Sequence, residues 1–168
     1  MQPADSLIYE YKDHFFVIQR STQGKTADEQ VKAGENAALY EKLPLDCSFE
    51  ALGAAALGAL ARYNTIRPIA DPWELSELNR QFCGWVGARG INPFNRDSRC
   101  VQIIAEHEQL EIVPFDNCRK NPWYGPMIRE MGFRDKTIMI NAGSRSETVG
   151  ENIKRAFEKA TYNKDRKQ

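Results

Sequence analysis

Several things are scarce or missing in this chain, and each narrows what the protein can do. Histidine occurs only twice, at His14 and His107. His14 opens a candidate strand and His107 sits in a turn between Glu106 and Glu108. Adjacent turn residues point apart, and nothing nearby supplies a nucleophile or an oxyanion hole, so an acid–base role is not supported. The four cysteines (47, 83, 100, 118) lie far apart, with no C-x-x-C pair and no His at zinc spacing. Reduced, mostly buried thiols are the expectation, with two disulfides the lesser option. No G-x-S-x-G, Walker or dinucleotide glycine pattern is present. Asn141-Ala142-Gly143-Ser144 could meet an anion at a helix start, but the favoured reading is a plain strand-to-helix turn that needs no ligand. Neither a metal nor a cofactor is implied.

Net charge is also missing: 23 basic residues balance 23 acidic ones. No global field therefore draws the chain to nucleic acid or anionic lipid. The longest apolar run, Ala51–Ala61, falls far short of the roughly 20 residues that span a bilayer. The opening residues, MQPADSLIYEYKD, carry neither a basic head nor an apolar run. A soluble, cytoplasmic protein is the expectation. Its 168 residues suit one globular domain spanning 1–168, with 42% apolar and 27% charged residues.

What is present is a succession of short strands and three helices. Leu7–Tyr11 and His14–Arg20 are β-branched and aromatic, joined by a tight Lys12-Asp13 turn. Ser21–Asn36 has loop composition, and Ala37–Lys42 is a third strand closed by Pro44. Ser48 is placed to cap a helix running to about Tyr63, whose body lacks polar side chains. Gly53 and Gly58 inside it point to close packing. Asp71-Pro72-Trp73-Glu74 starts a second helix that Gly87 or Gly90 ends. A loop, Gly90–Arg99, leads to a hairpin in which Val101, Ile103, Leu110 and Ile112 alternate with other residues. Lys136–Asn141 is a strand. Ser144 and Glu147 form a capping box for a last helix with Val149, Ile153, Ala156, Phe157 and Ala160 on one stripe.

The implied class is α+β: a mainly antiparallel sheet of about six strands with three helices to one side. Glu50-Ala51-Leu52-Gly53 echoes Glu147-Thr148-Val149-Gly150, which allows a repeat of two βββα halves.

Two acidic groups stand out. Glu106, Glu108, Glu111 and Asp116 lie in a stretch, 101–116, without Lys or Arg. Asp71, Glu74 and Glu77 form the second. Each is either a partner surface or simply a solvated face. Trp123 and Tyr124 could anchor an interface or plug the end of the sheet. Tyr9, Tyr11, Phe15 and Phe16 could stack bases, which makes a single-stranded nucleic-acid-binding module the alternative function. Core burial is the competing fate for these aromatics, and the acidic hairpin opposes phosphate.

From about Tyr40 to Ala160 the chain resembles the immunity proteins of bacterial contact-dependent growth inhibition systems. The carrying residues are Leu52-Gly53 with Leu57 and Leu60, the Trp85–Gly90 segment, Leu110–Pro114, Trp123-Tyr124-Gly125, and Thr137–Phe157 with Val149-Gly150. The resemblance implies a non-enzymatic antitoxin, an antiparallel sheet with helices around it, and no catalytic residues. It also implies a one-to-one protein partner: the C-terminal toxic domain, usually a nuclease, of a cognate toxin. In some members a toxin hairpin extends the immunity protein's sheet. Clustered carboxylates suit the basic cleft of a nuclease.

Overall fold

A computed structural model describes residues 3–21, 35–66, 72–116 and 136–162. Strands β1 (Ala4–Tyr11), β2 (His14–Ser21) and β3 (Glu35–Pro44) come first. Helices α1 (Phe49–Ala61), α2 (Pro72–Val86) and α3 (Ile91–Asp97) follow. Then come β4 (Ser98–Glu106), β5 (Gln109–Pro114), β6 (Ile138–Asn141) and α4 (Ser146–Lys159). The strands form one sheet in the order β3-β2-β1-β4-β5-β6. Every neighbouring pair is antiparallel.

The two tight hairpins use the same device. Tyr11 pairs with His14 and Glu106 with Gln109, leaving two-residue turns. Lys12 and His107 sit in them at φ 53° and 54°. Such turns match the twist of the flanking strands, at the cost of left-handed backbone in a residue with a Cβ. His107 is thus a turn residue, exposed at the hairpin tip.

The sheet is covered on both faces, which corrects the expectation of helices on one side. Ile8, Phe15, Val17, Val101, Ile103, Leu110 and Ile112 pack with Leu52, Ala56 and Ala59 of α1 and Val149, Ile153 and Phe157 of α4. On the reverse, Leu7, Tyr9, Tyr11, Phe16, Ile18 and Cys100 pack with Phe82 and Val86 of α2 and Phe94 of α3. Double coverage explains why Leu7–Tyr11 and Phe15–Ile18 read as nearly unbroken apolar runs. Strands buried on both faces lose the alternation seen when one face is wet.

Helix α1 is capped as its sequence indicates: the Ala51 N–H donates to Ser48 Oγ at 3.1 Å. It packs against α4 where two glycines meet. A Cβ on Gly53 would overlap the Ser146 carbonyl, and one on Gly150 would overlap the Phe49 carbonyl. Gly58 leaves room for the Tyr40 hydroxyl. Helix α2 ends because Gly87 adopts φ 66°, with the Ala88 N–H returning to the Cys83 carbonyl at 2.9 Å.

Four helices occur among the described residues, not three. The extra one, α3, falls in the stretch expected to be a loop. Its seven residues are too few for a clear 3.6 period, and Phe94, buried between Tyr9, Tyr11 and Phe82, holds it in place. The capping box at α4 is not made either. Arg145 is the N-cap residue and no side chain caps the helix. One turn further on, Arg155 donates to Asn152 Oδ1 at 3.1 Å. The two strand–strand–strand–helix halves are unequal: β3 has ten residues and β6 four, so the repeat is not established.

Candidate functional site

The hairpin β4–β5 carries the first acidic group, and the register sorts its members. Glu106 lies opposite Gln109, and Ile104 opposite Glu111. Side chains two apart share a sheet face. Glu106 and Glu111, both half-buried, therefore share the face that carries the buried Cys100 and Gln102. Leu110 and Ile112 point to the α1–α4 core instead. Glu108 is in the turn and exposed. Its carbonyl accepts from the Ala142 N–H at 2.8 Å, which ties the tip to the turn before α4.

Asp116 does not join this group. It lies past the other end of β5, roughly 27 Å of extended chain from Glu108. Its Oδ1 accepts from Thr161 Oγ1 at 2.6 Å, and the Thr161 N–H donates to the Phe115 carbonyl at 3.1 Å. Asp116 fastens the chain leaving α4.

The second acidic group is only partly described. Asp71, Trp123 and Tyr124 lie outside the described residues. Glu74 lies in α2, where its side chain is not described. Glu77 forms a two-bond ion pair with Arg80, at 2.7 and 2.5 Å, and also accepts from Gln81 at 3.2 Å. These hydrogen bonds hold its carboxyl below the ordinary value of 4.5. Arg80, one residue beyond the stretch without basic residues, thus offsets the charge of Glu77.

The aromatics proposed to stack bases are core residues. Tyr9, Tyr11, Phe15 and Phe16 are between 2% and 5% exposed. Tyr9 meets the rings of Phe82 and Phe94 edge-on at 5.4 and 5.2 Å. No base can reach these faces, so the stacking platform of the alternative function is not at the surface.

The described thiols are free at Cys47, Cys83 and Cys100. Burial pushes all three above their ordinary value, Cys100 furthest. A raised thiol is a poor nucleophile. Among the described residues no group of three or more His, Cys, Asp or Glu side chains could hold a metal ion. No described helix is long and apolar enough to cross a membrane.

Two features were not singled out from the sequence. The first is the sheet edge at β6, with Met139 48% exposed on the same face as Glu111. Among the described residues no strand pairs with the outer side of β6. The second is a buried polar row on that same face, formed by Asp5, Arg20 and Gln102. Ion pairing between residues 5 and 20, on different strands, leaves no local signal.

Comparison with solved structures places this architecture among known ones. The chain is similar to a chain of the CdiA-CT/CdiI toxin and immunity complex from Yersinia pseudotuberculosis. The TM-score is 0.71 at 12% identity, covering 96% of this chain and 99% of that one. It is also similar to the protein of unknown function NMB0488 from Neisseria meningitidis, with a TM-score of 0.67 at 17% identity over 95% and 96% of the two chains. At these identities the likeness is one of fold. No protein-family model and no curated protein sequence matches the chain.

Proposed function

We propose that this protein is a non-enzymatic immunity protein of a contact-dependent growth inhibition system. It binds and neutralises the C-terminal toxic domain of a cognate toxin, one to one, in the cytoplasm of the producing bacterium. The observation that carries this reading is the near-complete overlap of the fold with a chain from a toxin and immunity complex. Fold alone does not specify function. The chemistry of the chain is compatible with it: the two histidines and the described thiols form no acid–base–nucleophile set.

Two surfaces suit the task. The acidic hairpin tip, with Glu108 at its apex beside Glu106 and Glu111, would steer a basic nuclease surface. The β6 edge offers main-chain groups for pairing with a toxin hairpin. Trp123 and Tyr124, with Asp71 and Glu74, remain candidate partner residues on the sequence reading.

The test is rescue. Cells expressing the toxin domain encoded beside this gene should survive when this chain is co-expressed, and the two proteins should co-purify at equal stoichiometry. Death despite soluble co-expression overturns the proposal. Incubating the purified toxin domain with DNA or RNA identifies its substrate and shows whether this chain stops cleavage.

A further inference from the structure

The two edges of the sheet are built differently. Strand β3 carries the exposed Glu41, Lys42 and Pro44, and its register against β2 shifts twice. Charges, proline and bulges are the devices that keep an edge strand from pairing with another chain. Strand β6 has none of them. Its residues, Ile-Met-Ile-Asn, hold no charge and no proline, and their register against β5 is unbroken. Met139, 48% exposed, is the most exposed large hydrophobic residue among those described.

The ladder shows which main-chain groups face outward. The Ala142 N–H donates to the Glu108 carbonyl, and the same register continues through Ile140–Leu110 and Ile138–Ile112. Hydrogen-bonded pairs alternate along an antiparallel ladder. Residues 138, 140 and 142 therefore turn their N–H and carbonyl groups to β5, while Met139 and Asn141 turn theirs to the open edge. The side chains alternate as well. Ile138 and Ile140 lie half-buried at the rim of the α1–α4 core, and Met139 points to the other face.

We propose that β6 pairs antiparallel with β6 of a second copy of this chain, about a two-fold axis at Met139. Each Met139 N–H donates to the Met139 carbonyl of the other copy. Directly opposed residues lie on the same face of the sheet. In this register Ile138 faces Ile140 of the second copy, which completes the rim of each core, and Thr137 faces Asn141. Met139 packs on its own counterpart, so the exposed side chain is covered. The contact is isologous, and no charge on one strand opposes a like charge on the other. Glu111, one strand in, stays about 14 Å from its counterpart, beyond the screening length of about 8–10 Å. Helix α4 lies mainly over β5 and β4 and leaves the edge clear. A strand this short buries far less than the roughly 800 Å² per partner of a stable interface, so the dimer is weak. A toxin hairpin pairing with the same edge would replace the second copy; the self-pairing does not rest on the toxin-binding reading.

Sedimentation equilibrium and amide hydrogen exchange test it, both from about 10 µM to about 1 mM protein. The average mass of the wild type should rise towards that of a dimer. The Met139 amide should exchange more slowly as it does, while the Ile140 amide, already bonded to β5, keeps its rate. Met139→Lys sets like charges at the axis from an exposed position and should weaken association about tenfold or more, whereas Met139→Leu should preserve it. A wild-type chain that stays monomeric throughout overturns the proposal. So does a dimer in which Met139 exchange is unchanged, or one that Met139→Lys leaves intact, since the contact then lies elsewhere.

Discussion

Gly53 and Gly84 occupy interior positions of helices α1 and α2, yet their surroundings demand opposite outcomes from the same substitution. A methyl group on Gly53 would enter the Ser146 carbonyl, whereas nothing lies within 4 Å of one on Gly84. Gly53→Ala should therefore cost about 1–3 kcal/mol through forced separation of α1 and α4. Gly84→Ala should gain up to about 1 kcal/mol from helix propensity. Urea denaturation of the two variants measures both, and equal signs would refute the close-crossing account. Cys100 gives a second prediction at this scale. Its thiol stays neutral in the fold well above its ordinary value of 9.0, because it is buried. The unfolded chain ionises first, so this group's share of stability is present below about pH 9 and lost as pH rises beyond it. The slope is about 1.4 kcal/mol per pH unit. Comparing wild type with Cys100→Ala at pH 7 and pH 10 should show a smaller alkaline loss in the variant. Alkylation of Cys100 at pH 8 should require unfolding.

Among the elements, the β4–β5 hairpin is where charge and exposure coincide. Glu108 is the cleanest test because it is exposed, and among the described residues its side chain makes no ion pair while its backbone carbonyl accepts from the Ala142 N–H. Glu108→Lys should slow toxin association about twofold to tenfold at low salt, with the difference shrinking as salt screens it. Stopped-flow association across a salt series measures this, and unchanged rates remove the hairpin tip from the interface. Reversing Glu106 and Glu111 as well should deepen the effect. Helix α2 makes a poorer candidate where it is described, since Glu77 is already bound to Arg80.

For the whole molecule, the segment leaving α4 ties distant parts of the chain together. Tyr162 OH donates to Glu10 Oε1 at 2.5 Å, and Arg99 donates to Glu10 Oε2 at 2.5 Å and to the Phe157 carbonyl at 2.7 Å. The Arg99 guanidinium lies over the Tyr162 ring at 4.8 Å. With Thr161 held by Asp116 and Phe115, these bonds join α4 to β1, β4 and the end of β5. Truncation after Ala160 should lower stability by about 1–3 kcal/mol without changing the fold, because Glu10 loses one of its two partners. Circular dichroism and thermal melting check this, and an unchanged Tm would show that the strap is passive.

Local patterns in the chain determined much of this. Alternation marked the β4–β5 hairpin, β-branched and aromatic runs marked β1 and β2, Ser48 marked the start of α1, and the Val149–Ala160 stripe marked the buried face of α4. These are legible because capping and periodicity act within a few residues. Tertiary structure decided the rest. It put helices on both sheet faces, turned Tyr9 and Phe16 inward as core, and folded residues 91–97 into a helix around Phe94. It also assigned the carboxylates different tasks. Glu108 faces solvent at a turn, Glu77 is held by Arg80 one turn away, and Asp116 is used by a threonine 45 residues downstream. The pairing of Asp5 with Arg20 and Gln102 depends on strand register, which brings together side chains up to 97 positions apart. An exposed carboxylate and an internally bonded one look identical in sequence, because the difference is made by a partner contributed from elsewhere in the fold.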